Sequence, residues 1–86
     1  MFKPYPESGV TNAYLYKDVK VRFTYRVDIG SNRIGGVDID GVFPGEEKEM
    51  RFFRYDGPFD SKELALEAAM EWTAKYLDRE LSGGNV

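Results

Sequence analysis

Apolar and polar residues alternate without a break in the segment VKVRFTYRVDI at 19–29. Strict alternation is typical of a strand that buries one face and exposes the other to water. A second alternating run follows at 34–43 and a third at about 48–55. Turn residues precede each of them: GlySerAsn at 30–32, and PheProGlyGlu at 43–46, which has the form of a type II turn. The pattern predicts three antiparallel strands joined as a meander.

The apolar residues also predict how the first two strands pair. Setting Val27 opposite Val37 keeps apolar side chains together on one face. The same register puts Arg26 opposite Asp38, so that a cation meets an anion across the strands. Asp38 and Asp40 then share the solvated face, whereas a slip of one residue would bury both aspartates.

A helical spacing replaces the alternation after Asp60. Asp60 stands three residues before Glu63, as in a capping box, and Phe59 and Leu64 flank it as a hydrophobic staple. Over 61–81 the apolar side chains sweep about 180–200°, against about 100° for a helix buried on one side. The residues of this arc are Ala65, Leu66, Ala69, Met70, Trp72, Tyr76, Leu77 and Leu81. The excess predicts a dimer surface, or a helix covered by a curled sheet and by the N-terminal segment.

The chain has 86 residues, which is enough for one domain with a small core. Its hydrophobic fraction of 42% and aromatic fraction of 15% argue against global disorder. We expect an extended arm at 1–13, a folded core at 14–81 and a flexible tail at 82–86. The predicted fold class is α+β, a three-stranded antiparallel β-meander packed against one C-terminal α-helix.

Composition limits the chemistry of the chain. It contains no histidine and no cysteine, which removes the commonest acid–base residue, the commonest metal ligand and every disulfide. We therefore expect no catalytic residues, no cofactor and no metal site. The net charge of −3 also disfavours a general attraction to nucleic acid. Without an apolar run long enough for a membrane span or a signal peptide, we expect a soluble cytoplasmic protein.

Two short motifs overlap in the second predicted strand. AspIleAspGlyVal at 38–42 resembles the first motif of the haloacid dehalogenase phosphatases, whose two aspartates act as nucleophile and general acid. That chemistry needs a doubly wound parallel sheet, which a meander of this length does not supply. The stretch 36–47 partly matches an EF-hand loop, but Gly36 occupies the position of the first ligand and a strand precedes it. We expect neither site to form.

ArgPhePheArgTyr at 51–55 interleaves cations with aromatic rings. In a regular strand Phe52 and Phe53 point to opposite faces, so one ring has to leave the side that the helix covers. The alternatives are Phe53 beside Arg51, or Phe52 beside Arg54. Either arrangement leaves an aromatic ring next to a guanidinium on the open face.

These residues predict an interaction surface that also includes arginines of the first strand and rings of the helix. Its candidate residues are Arg22, Arg26, Arg51, Phe53, Arg54, Tyr55, Trp72 and Tyr76. Arginine and aromatic side chains suit protein interfaces and also stack on bases. We prefer a non-catalytic protein-interaction module that binds an unidentified partner or forms a homodimer. The alternatives are a nucleic-acid-binding accessory protein, which the charge disfavours, and a plain exposed strand that the N-terminal arm covers.

The order of elements resembles small uncharacterised bacterial proteins that open with a Tyr-x-(Gly or Asp)-apolar strand and close with a capped helix. The matching stretches are TyrLysAspValLysVal at 16–21 and PheAspSerLysGluLeuAlaLeuGluAlaAlaMetGluTrp at 59–72. The resemblance implies the fold and carries over no functional residues.

Overall fold

An antiparallel sheet of five strands, in the order in which they follow one another along the chain, packs against one C-terminal helix. This α+β fold is seen in a computed structural model that describes residues 1–9 and 12–82. The predicted tail lies outside the described residues, apart from Ser82. The elements are β1 (Lys3–Pro4), a 3₁₀ turn (Pro6–Ser8), β2 (Ala13–Tyr16), β3 (Val19–Val27), β4 (Ile34–Val42), β5 (Met50–Phe59) and α1 (Lys62–Leu81).

The segment 1–13, expected to be an extended arm, contributes to the sheet: β1 lies within it, and β2 begins at its last residue, Ala13. β1 pairs with β2, and β2 pairs with β3. Aromatic contacts on the helix side of the sheet hold this segment in place. The centroid of the Phe2 ring lies 4.6 Å from that of Tyr16 and 5.9 Å from that of Phe23. Aromatic pairs at this spacing favour burial. The predicted three-stranded meander is therefore part of a five-stranded sheet.

The predicted register of β3 and β4 is wrong by two residues. Val37 lies opposite Tyr25, not opposite Val27. The loop between the strands takes the whole of 28–33, which is longer than the predicted turn. Because the shift is an even number, each β4 side chain keeps its predicted face, and Asp38 lies on the face away from α1.

The same loop leaves the end of the first predicted strand uncovered. Val27 is exposed, and Ile29 is 97% exposed, although both continue the apolar alternation of β3. β3 ends at Val27, so Ile29 has no sheet beneath which it can be buried. Val27 is paired with Ile34 and still exposed, so the burial predicted by the alternation already fails at the last residue of β3.

The core lies between one face of the sheet and a stripe of small residues on α1. Its buried apolar members are Tyr16, Val19, Val21, Phe23, Ile34, Val37, Ile39, Ala65, Ala69 and Leu77. Small side chains on the helix let its axis approach the sheet closely. Thr73 is fully buried in this stripe, and its hydroxyl donates to the Ala69 carbonyl oxygen at 2.7 Å, which satisfies the buried polar group.

The helix begins one residue later than predicted. Ser61 is the N-cap, and its hydroxyl oxygen accepts a hydrogen bond from the Leu64 amide at 3.1 Å. Asp60 instead contacts Arg33 at 3.2 Å. Leu64, which the staple would have packed against Phe59, is 50% exposed. The capping box is thus wrong in its residues, although a side-chain cap does start the helix.

We expect Ser61→Ala to lower the free energy of unfolding by about 0.5–2 kcal/mol, because one amide of the first helical turn loses its acceptor. Asp60→Ala is the matched control and should cost less, since the Asp60 side chain is exposed and makes a surface ion pair. Urea denaturation followed by circular dichroism measures both. Equal losses, or a larger loss for Asp60→Ala, would contradict the assignment of Ser61 as the cap.

A polar contact ties the C-terminal half of α1 to the turn between β2 and β3. The Tyr16 hydroxyl and the Lys17 ammonium both donate to Oδ1 of Asp78, each at 2.8 Å. The Lys17 and Tyr16 hydrogen bonds hold the pKa of Asp78 below its ordinary value of 3.8. A carboxyl with a lowered pKa stabilises the fold above the unfolded pKa, and this contribution is lost as the pH falls through the folded value.

Asp78→Asn should therefore reduce the loss of stability that the protein suffers as the pH falls below about 4. The measurement is the urea midpoint at neutral pH and at successively lower pH for both proteins. Glu67→Gln, an exposed carboxyl change on the same helix, is the control and should leave the pH dependence close to that of the unsubstituted protein. If Asp78→Asn showed the same acid profile as the control, the contact would not contribute.

Candidate functional site

Eight charged side chains on the sheet face that α1 leaves open contact one another, and we call them the open-face ion-pair network. Its members are Arg22, Arg26, Asp38, Asp40, Glu49, Arg51, Arg54 and Asp56. Four are cations and four are anions, so their formal charges cancel. β3, β4 and β5 each contribute to it, and Glu49 immediately precedes β5.

Arg22 and Arg51 bracket the buried carboxylate of Asp40. The Nε of Arg51 donates to Oδ1 of Asp40 at 2.6 Å, and Nη2 of Arg22 lies 3.6 Å from Oδ2. Arg22 also binds both carboxylate oxygens of Glu49, at 2.9 and 2.6 Å. These hydrogen bonds lower the pKa of Glu49. Bidentate geometry of this kind fixes the orientation of the guanidinium.

Arg26 spans three strands. Its Nε donates to Oδ1 of Asp38 at 3.1 Å, and its Nη2 reaches Oδ1 of Asp56 at 3.0 Å and the Tyr55 carbonyl oxygen at 3.2 Å. The guanidinium passes over Gly36 of β4, where a Cβ would collide with it. Glycine at this position is thus what allows a β3 side chain to bind a β5 carbonyl.

Arg54 is the least engaged arginine of the network. Its Nε lies 3.9 Å from Oδ1 of Asp38, beyond hydrogen-bond length, and 62% of its side chain is exposed. Asp38 is shared among three guanidinium groups, because Arg26 and Arg51 contact the same oxygen. The network therefore keeps one cation available at the β5 edge.

Aromatic rings form a continuous line on the opposite, helix-covered side, which we call the aromatic row. In order of contact it consists of Phe43, Phe52, Tyr76, Trp72, Phe53, Tyr55 and Phe59. The Phe53 and Trp72 rings are stacked, with centroids 4.4 Å apart and planes inclined by 8°. Trp72 in turn stacks on Tyr76 at 5.0 Å. Burial raises the pKa of the Tyr76 hydroxyl, in keeping with its half-buried position.

The two phenylalanines share one face because β5 contains a bulge. Ile39 of β4 pairs with Phe53, and the next β4 residue, Asp40, pairs with Arg51, so Phe52 has no partner. An unpaired extra residue breaks the alternation, and both rings turn toward α1. The prediction that Phe52 and Phe53 point to opposite faces is therefore wrong. Arg51 and Arg54 therefore both lie on the open face.

The predicted interaction surface is thus divided between two faces of the sheet. Arg22, Arg26, Arg51 and Arg54 come together in the open-face ion-pair network. Phe53, Tyr55, Trp72 and Tyr76 come together in the aromatic row. No ring of the row lies among the guanidinium groups, so a mixed platform of stacked rings and cations is not formed by these residues.

Two features of the sequence indicate the bulge in β5 and the anions of the open-face ion-pair network. Arg51 and Arg54 are three residues apart, a spacing that can share one strand face only across a bulge. The even parity of Asp38 and Asp40 in β4, matched by Arg22 and Arg26 in β3, indicates the anions that complete the network. Asp40 is nevertheless buried, not solvated as the sequence suggested.

β5 is an edge of the sheet. It pairs with β4 on one side, and no strand among the described residues pairs with its other side. Phe53, at the middle of this edge, is 39% exposed, and Trp72 and Tyr76 beside it are half-buried. An apolar surface therefore adjoins a line of unpaired backbone groups.

A small cavity of about 160 Å³ lies elsewhere on the open face, beneath the N-terminal segment. Tyr5, Lys20, Arg22 and Glu49 form part of its wall. The last two are paired with each other, and the Lys20 ammonium lies 5.8 Å from the centre of the Tyr5 ring. Its charged groups are thus already engaged within the protein.

The described residues contain neither a cluster of side chains suited to a metal ion nor a helix suited to cross a membrane. Within residues 1–9 and 12–82 there is no cluster of three or more acidic, histidine or cysteine side chains suited to a metal ion. The aspartates of the EF-hand-like stretch bind arginines within a regular strand. Over the same residues, no helix has the length and apolarity to cross a bilayer.

Comparison of the chain with protein-family models, curated proteins and solved structures finds no match in any of the three. The resemblance to small uncharacterised bacterial proteins accordingly stays a prediction.

Gly36→Ala should destabilise the protein by about 1–3 kcal/mol, because the new methyl group meets the Arg26 guanidinium and the Tyr55 carbonyl oxygen. Gly35→Ala is the matched control: its Cβ would come no closer than 3.1 Å to a described neighbour, the Arg26 carbonyl oxygen, and should cost less. Thermal and urea unfolding measure both variants. A Gly36→Ala protein as stable as the control would show that the position of the Arg26 guanidinium does not require glycine at residue 36.

Proposed function

We propose that this protein is a non-catalytic interaction module that binds a protein partner through the aromatic row and the outer edge of β5. The observation that carries the proposal is the stack of Phe53, Trp72 and Tyr76, which stays partly exposed beside unpaired strand backbone. Tryptophan and tyrosine are enriched among the residues that dominate interface energies. Exposed strand edges are a recurrent means of binding extended segments of other chains.

The open-face ion-pair network supports a structural, not a chemical, role for its carboxylates. Each of its four acids contacts an arginine of the network, so these carboxylates already have partners within the protein. The sequence also contains no histidine or cysteine to act as a base or nucleophile. The network is well suited to hold β5 rigid while its other side contacts a partner.

The nucleic-acid alternative is less well supported. Stacking proteins combine cations and exposed rings along one groove, whereas here the guanidinium groups and the rings occupy opposite faces. Phosphate would have to compete with carboxylates that already bind three of the four arginines by hydrogen bonds. A protein partner needs no such exchange. The cytoplasmic location expected from the sequence is part of this proposal.

We expect Trp72→Ala to weaken partner binding about thirtyfold or more, since removing an aromatic residue that dominates an interface costs about 2 kcal/mol or above. The immobilised protein is exposed to an extract of its source cells and to soluble copies of itself, and the retained protein is quantified. Ile29→Ala is the control, because it removes an apolar side chain that is 97% exposed and is not a member of the row.

Circular dichroism and thermal unfolding establish that both variants are folded before binding is compared. Retention that is lost with Trp72→Ala and kept with Ile29→Ala supports the proposal. If a folded Trp72→Ala protein binds as well as the unsubstituted one, or if the protein retains nothing at all, the aromatic row is not an interaction surface.

A further inference from the structure

The two edges of the sheet differ in their capacity to pair with another chain. β1 comprises only two residues, one of them Pro4, and offers almost no ladder. β5 comprises ten residues, Met50–Phe59, and its outer side is unpaired among the described residues. Of these two edge strands, β5 offers much the longer ladder, and a contact in which β5 pairs with its own copy closes after two copies instead of growing into a fibre.

The direction of the backbone groups at this edge follows from Tyr55. Its carbonyl oxygen points toward β4. This oxygen accepts a hydrogen bond from the Arg26 side chain, which crosses Gly36, and the same oxygen lies 2.7 Å from where a Cβ on Gly36 would be. Backbone groups of successive strand residues point to opposite sides. The N–H and C=O groups of Arg54 and Asp56 are therefore directed outward, away from β4.

These two outward residues carry opposite charges and are separated by one residue. When a second copy pairs antiparallel with Tyr55 on the twofold axis, Arg54 lies opposite Asp56 of the second copy, and Asp56 lies opposite Arg54 of that copy. Arg54 is 62% exposed, and Asp56 is 77% exposed although its Oδ1 also accepts a hydrogen bond from Arg26. Opposite charges directly across an antiparallel ladder stabilise it.

Neighbouring registers are opposed by the same charges. Moving the axis to residue 54 places Arg54 opposite its own copy, and moving it to residue 56 places Asp56 opposite its own copy. Like charges directly across a ladder destabilise the pair. The bulge at Phe52 and the missing N–H of Pro58 limit the ladder to the segment between them. A single register remains favourable.

The helix-side residues of this segment are also self-complementary. In the register centred on Tyr55, Phe53 lies opposite Gly57 of the second copy. Phe53 is 39% exposed in one chain, and glycine provides no side chain to obstruct its ring. Each copy thus places an aromatic ring over the bare backbone of the other, while its Trp72 remains stacked behind that ring.

We propose that the partner of β5 is a second copy of this chain, paired antiparallel with Tyr55 on the twofold axis. The two five-stranded sheets become one continuous sheet of ten strands, held by backbone hydrogen bonds at Arg54 and Asp56 and by two intermolecular ion pairs. This inference rests on the proposed function, because it identifies the occupant of the same surface. It predicts a symmetric dimer in solution.

A mixing experiment tests the register. In the dimer, Arg54→Glu makes both ion pairs acid against acid, and Asp56→Lys makes both pairs base against base. Each variant alone should dimerise about tenfold more weakly than the unsubstituted chain, as two attractive pairs become repulsive. An equimolar mixture restores two attractive pairs and should form a heterodimer about as tightly as the unsubstituted chain. Sedimentation equilibrium, with one variant carrying a fluorescent label, measures all three.

A crosslinking experiment tests the axis independently. The chain contains no cysteine, so Tyr55→Cys introduces a single thiol. Residues facing each other across a non-hydrogen-bonded pair have Cα atoms about 4.5 Å apart, within the range that a disulfide spans. Mild oxidation should give a covalent dimer. Met50→Cys on the same strand is the control, because its two copies would lie about 34 Å apart and should remain uncrosslinked.

The inference is overturned if the unsubstituted chain is monomeric, if the mixture associates no more tightly than the separate charge variants, or if Tyr55→Cys crosslinks no better than Met50→Cys. A monomeric chain that still retains a different protein in a Trp72-dependent way would refute the dimer and leave the proposed function standing. Loss of Trp72-dependent binding of every kind would refute the proposed function itself.

Discussion

The β-bulge at Phe52 is the feature on which the arrangement of both faces depends. Without the extra residue, Arg51 and Arg54 would lie on opposite sides of the sheet, and so would the two phenylalanines between them. With it, both cations join the open face and both rings turn toward α1. A single local irregularity thus separates the charged residues of this segment from its aromatic ones. Bulges commonly redirect side chains in this way at sheet edges.

The separation has different energetic consequences on the two sides. Ion pairs on a partly solvated face each contribute little to stability, so the network acts chiefly by orienting the strands. Arg22 links β3 to Glu49, just before β5, and Arg26 links β3 to the Tyr55 carbonyl oxygen in β5. Stacked rings contribute about 0.5–1.5 kcal/mol each beyond the area that they bury. The stack of Phe53 on Trp72 therefore joins the edge strand to the helix and stays partly open to a partner.

Some features of the fold follow from local sequence patterns, and others do not. The alternation of β3 and the parity of Asp38 gave the correct faces, and the type II turn at 43–46 is confirmed by the positive φ of Gly45 and the hydrogen bond from the Glu46 amide to the Phe43 carbonyl. The N-terminal strands were missed because prolines and a glycine suggested an irregular arm. Their apolar contribution becomes visible only when Phe2 meets Tyr16 across the sheet.

The sequence by itself determined the type of β3, β4, β5 and α1, the buried faces of β3 and β4, and the side-chain start of the helix to within one residue. These properties depend on a residue and its near neighbours, for which the periods of strand and helix are sufficient. The tertiary structure decided the register of β3 and β4, the bulge in β5 and the meeting of Phe53 with Trp72. Each of these is defined by a partner element, because a bulge exists only relative to the strand opposite and a loop length appears only once two strands are paired.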